Sequence, residues 1–222
     1  MSSATPAAEH PHRAAGGREP RTGPAAGVDA HDAGPARGPS TPPALVDTIH
    51  RIEASEAWDG PGKVVERLAR AVAPPGRAHD VLTGTWLGHA VHPLLTDLPL
   101  GMWMSGSLLD FIGGRSARPA ARRLIGVGVA AAVPTAATGL AEWLHVDRPA
   151  RRVGVVHANA NTIGLALYGA SFVARRRGHH LRGVALGVAG GLAAIAGGYL
   201  GGHLTLARKA GSRDPRFALP AG

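Results

Sequence analysis

Four histidines fall at the margins of four apolar stretches. Imidazole is the side chain most often used to hold haem iron, zinc and other transition metals. The stretches cover residues 93–112, 124–144, 155–174 and 184–206. His92 opens the first, His145 follows the second, His157 opens the third and His203 lies near the end of the fourth. His89, Asp97, Glu142, Asn159 and Asn161 lie in or beside the same stretches. Three chemistries compete for this set. Two imidazoles from different helices could ligate a b-type haem, with His92, His157 and His203 as the candidates. A non-haem ion such as zinc or iron could draw on His92, Asp97, Glu142, His157 and His203. In the third, no cofactor binds and the polar groups only cap helix ends and hydrogen-bond between helices.

These residues work together only if the chain brings them to one level. Each stretch approaches the ~20 residues that a helix needs to cross a bilayer. The sequence therefore predicts an all-α integral membrane four-helix bundle. Four crossings place His92, His145, His157 and His203 near one face. At 1.5 Å per residue, Asp97 lies roughly 7 Å along the axis from His92. Ionisable groups at such depth are costly, so they turn inward and mark function. Pro93 suits a first helical turn, while Pro99 and Pro134 predict kinks. Small residues recur at four-residue intervals in the last stretch, at Gly183, Gly187 and Gly191 and at Ala194, Gly198 and Gly202. Such rows let helix backbones approach closely, or leave room for a flat cofactor.

The remaining chain divides by composition. Residues 1–43 are rich in Pro, Gly and Ala and almost free of large apolar side chains, so a disordered tail is expected. Residues 44–79 hold two short amphipathic helices, carried by Leu45, Ile49 and Ile52 and by Val64, Val65, Leu68 and Val72. Residues 80–210 form the membrane domain, and residues 211–222 a short tail.

The formal net charge is +9 and cysteine is absent. Without cysteine there are no disulfides, thiolate-held clusters or cysteine nucleophiles. The Arg residues flank apolar stretches, which points to lipid headgroups and not to nucleic acid. No phosphate-binding Gly-rich loop, HExxH helix or serine elbow occurs. Arginines are nearly balanced between the two sets of loops. The polar tail lacks an export signal, which places both termini in the cytoplasm.

The segments GHAVHPLLTDLPLGMW (88–103), GVGVAAAVPTAATGLAEW (126–143), RRVGVVHANANTIGLALYGASFVARRRG (151–178) and GGYLGGHL (197–204) carry a resemblance. In these the chain resembles a bacterial family of predicted membrane proteins, domain of unknown function 2231. The resemblance implies a four-helix membrane domain, with His92, His157 and His203 at the family's recurring histidines. Relatives with an added Rieske-type domain imply redox work. In this chain that domain would be a separate redox protein, because no cysteine is present. Asp97 stands where many relatives carry His. The expected product is a small haem-binding electron-transfer subunit of the cell membrane, multi-pass, open to homo-oligomer formation. The alternative is a scaffold whose polar cluster fixes helix packing.

Overall fold

A computed structural model describes residues 43–211. The expected tails, 1–43 and 211–222, lie outside the described residues except for Pro43 and Gly211. Among those residues the chain is all-α, with seven α-helices and no strand.

Three short helices come first. α1 (Ala44–Ala54) and α2 (Asp59–Val72) follow the two apolar periodicities in the sequence. α3 (Arg77–Thr83) was not foreseen, since its seven residues carry too few apolar positions to show a period. It begins after Pro74-Pro75-Gly76 and stops at Gly84, whose left-handed φ of 73° suits glycine. A side chain there would also strike the His89 carbonyl and Val91.

Four long helices follow: α4 (Val91–Ile112), α5 (Arg118–Trp143), α6 (Arg148–Arg176) and α7 (His180–Gly202), the last continued by one π-helical turn, His203–Ala207. All four coincide with the apolar stretches and extend beyond them. Asp147 caps α6 by accepting from the Ala150 N–H at 3.0 Å, and Pro149 sits in its first turn. Two helices are apolar and long enough to cross a membrane, Arg118–Trp143 and His180–Ala207. α4 and α6 fall short of that test because polar and charged residues interrupt their sequences, among them Asp97, Asp110, Asn159 and Asn161.

α4 pairs closely with α5, and α6 with α7. Contact between these two hairpins, along α5–α6 and α4–α7, is much sparser. Tight packing within the second hairpin follows from its glycines. A Cβ on Gly164 would stand 3.3 Å from the Gly190 carbonyl oxygen, so the α6 and α7 backbones meet directly. Between the hairpins, Trp103 of α4 stacks on Tyr168 of α6 with ring centres 4.2 Å apart. Ile125 and Ala132 complete this apolar middle layer.

Pro99 and Pro134 lie within continuous helices. Pro99 lacks the N–H that would reach the Leu95 carbonyl. The Thr135 hydroxyl of α5 supplies a donor there at 3.2 Å, shared with the Ala131 carbonyl at 2.9 Å.

Candidate functional site

His92 and His157 come together. Their ring centres are 6.3 Å apart and their planes stand at 87°. One belongs to each hairpin, so the pair straddles the sparse seam. His92 Nδ1 lies 2.9 Å from the Thr135 carbonyl oxygen, and His157 Nδ1 lies 2.8 Å from the Gly197 carbonyl oxygen. A carbonyl can only accept, so each Nδ1 carries the proton and each Nε2 keeps its lone pair. This is the arrangement by which a backbone carbonyl fixes the tautomer of a ligating histidine. Asn161 donates to the His157 backbone carbonyl at 2.9 Å, and its amide nitrogen lies 3.3 Å from both His157 ring nitrogens.

Glycines make room for both rings. A Cβ on Gly139 would stand 2.8 Å from His92 Cε1, and one on Gly201 would stand 2.9 Å from His157 Cε1. A Cβ on Gly197 would strike the Asn161 amide at 2.7 Å. These glycines therefore admit the polar side chains themselves. Gly198 and Gly202, from the other expected row, have nothing within 4 Å of a built Cβ.

His203 is engaged elsewhere. Its Nε2 lies 2.9 Å from Glu53 Oε1 of α1, and Arg208 Nε lies 2.8 Å from the same oxygen. Beside this contact, Val46, Ile49, His50, Tyr199 and Leu206 line a cleft of about 320 Å³. Asp97 is exposed on the outside of α4. Five residues of helix turn it about 140° from His92, which is why depth alone misplaced it. Glu142 lines a different cleft, with His145. The five-residue metal set is thus not gathered. Among the described residues no group of three His, Asp or Glu side chains could hold one ion.

The opposite end holds a buried ion pair, Asp110 of α4 with Arg175 of α6. Arg175 donates from both terminal nitrogens to the two oxygens of Asp110, at 2.7 and 2.6 Å. Their side chains are 3% and 2% exposed. Arg175 Nε also donates to Ser171 Oγ at 3.1 Å, and Ser171 Oγ donates to the Gly183 carbonyl. One signal was available: an acid and a base ending successive same-direction helices.

The short helices are clamped by charge. Asp59 receives Arg152 at 2.8 and 3.0 Å and Arg148 at 2.6 Å, while Arg152 also reaches the Glu53 carbonyl at 2.8 Å. The hydrogen bonds from Arg152 and then Arg148 hold the Asp59 carboxyl well below the usual carboxylate range. Arg70 does the same, less strongly, to Glu66.

A family model described as a predicted membrane protein, DUF2231, matches residues 88–213. The chain belongs to the DUF2231 family. The match spans all four long helices and every residue of the His92–His157 site. The DUF2231 region excludes Glu53 and Asp59, so the charge clamp joins it to a preceding segment. No curated protein and no solved structure matches the chain.

Proposed function

We propose that this DUF2231 protein is a four-span membrane subunit that holds a b-type haem between His92 and His157 and passes electrons. The carrying observation is the imidazole pair across the seam, each ring tethered through Nδ1 to a neighbouring helix's carbonyl. His92 and His157 would be the two residues that hold the group, each with its Nε2 left to bind metal at about 2 Å. Their ring centres, 6.3 Å apart, leave the two imidazoles near one another. Each ligand comes from a different hairpin, so a flat group can enter the seam while both tight hairpins stay intact. Bound haem supplies reversible one-electron exchange. Thr135 and Gly197 hold the two rings in the ligating tautomer. Asn161 is positioned to tune the electron density of His157 through its hydrogen bonds.

Residues 80–210 are the membrane domain in this reading, with both termini cytoplasmic and α1 and α2 (within residues 44–79) covering one end. Support for α4 as a span comes from its outer face, where Leu94, Met104, Leu108, Phe111 and Ile112 are exposed. A separate redox protein would exchange electrons with the haem. A second copy of the chain could cover Asp97 on the same face.

An absorption spectrum of the detergent-purified protein tests the reading. A Soret band is expected, lost in H92A and in H157A. A colourless sample, unchanged by added haem, rejects it. The scaffold reading draws support from the same tethers, because each His bond also pins one helix to its neighbour. It predicts that H92A and H157A lower stability with no chromophore to lose.

A further inference from the structure

His79 and His145 are 66 residues apart in sequence, yet their Nε2 atoms lie 2.9 Å apart. Their ring centres are 5.0 Å apart, with planes tilted by 48°. Neither belongs to the site described above. We propose that this pair is a surface binding site for a divalent transition metal that favours square-based geometry, of the copper–nickel class.

The donor type carries the choice of metal, and the distance is compatible with it. Two bonds of about 2 Å at a right angle put their nitrogens about 2.8 Å apart, whereas a tetrahedral angle puts them about 3.3 Å apart. The pair already has the closer spacing. Square-based sites with nitrogen and oxygen donors belong to Cu²⁺ and Ni²⁺. Without metal, one Nε2–H donates to the other Nε2. Binding requires that the donor ring move its proton to Nδ1, freeing both Nε2 lone pairs, and that the rings turn until each lone pair points about 45° off the N–N line, toward the shared ion.

Access also favours an ion. His145 is exposed, so water reaches the pair. His145 also lines a cleft of about 260 Å³ together with Glu142 and Asp147, whose carboxylates would offset a dication's charge. Arg208 and Lys209 line the same cleft but are cations that supply no ligand, so the remaining ligand positions fall to water. His79 lies on α3 and His145 just beyond the end of α5, so an ion held by both would staple the short helix to the long one. With only two protein ligands the site is exchangeable, and micromolar affinity is expected.

The test uses the full chain in detergent with H10Q, H12Q and H31Q in place, so that tail histidines do not compete. One equivalent of Cu²⁺ is added and the electron paramagnetic resonance spectrum recorded. Nitrogen splitting from two imidazoles is expected, falling to one in H79Q or H145Q with at least tenfold weaker binding. No uptake, or uptake with a spectrum unchanged in both variants, overturns the site. Should H145Q fail to fold, H79Q decides alone, because α3 lies outside the long helices. H157A, which removes a proposed haem ligand, leaves this copper signal unchanged.

Discussion

The hydroxyl of Thr135 stands in for the N–H that Pro99 lacks. It reaches the Leu95 carbonyl from the neighbouring helix, and its own backbone carbonyl accepts from His92. One residue thus repairs α4 and aims an imidazole. T135V keeps the shape and removes the donor. A loss of about 1 kcal/mol is expected, as for other hydrogen bonds between membrane helices, read from denaturant titration in detergent. An unchanged midpoint would show that Leu95 finds another donor.

Glycine positions that touch the imidazoles should be intolerant, and open ones indifferent. G139A and G201A each drive a methyl group into a ring, which costs about 1–3 kcal/mol by overpacking. G198A meets nothing and gains helix propensity, so its melting temperature should hold or rise. Equal behaviour of the three variants in thermal melts would contradict the packing described.

His203 separates the two ways of choosing haem ligands. Because its Nε2 faces Glu53, H203A should keep the Soret band that H92A and H157A lose. Loss of the band in H203A, with helical content intact, would move the ligand assignment to α7's end.

The Asp110–Arg175 pair is a test of buried charge. D110A leaves the Arg175 guanidinium buried without its partner, and a loss of about 3–5 kcal/mol is expected. The double variant D110L/R175M removes both charges and should recover most of that loss. Thermal melts of the two proteins in one detergent measure the difference. If the double variant is as unstable as D110A, charge burial is not the cause.

Acid should loosen the short helices before the long ones. Asp59's pKa is depressed on folding, so its clamp stabilises fully above the ordinary carboxylate range. That stabilisation is lost as pH falls from about 4 toward the lower folded value. Hydrogen exchange in α1 and α2 should therefore rise below about pH 4, while α5 and α7 stay protected. D59N should give the same exchange at neutral pH. A flat profile across that range would count against the clamp.

The four long helices were readable because apolar runs of that length have few alternatives. Their boundaries lay outside the runs, since Arg118, Arg148 and Arg176 continue helices with polar turns that hydropathy cannot register. His92 and His157 were legible as a pair because alternating helix direction fixes their level. His203 shared that level and Asp97 lay about 7 Å from it along the helix, but facing is set by angle around the helix, and proline and glycine positions blur its reading. Glu53 and His79 had no local signal, and Arg175 had only its place at a helix end. Each finds its partner across at least 65 residues of chain, and only packing brings the partners together.

Arg152 sets the physical edge of this fold. Its guanidinium is buried on α6, yet the carboxylate that neutralises it is Asp59, well upstream of the first residue that similarity to relatives detects. A chain trimmed to begin at Gly88 would lose that carboxylate together with the short helices that cover the cation. For expression, reconstitution or transplantation of this domain, a piece that keeps the ion pair intact starts near Pro43 and not at the edge of the family match.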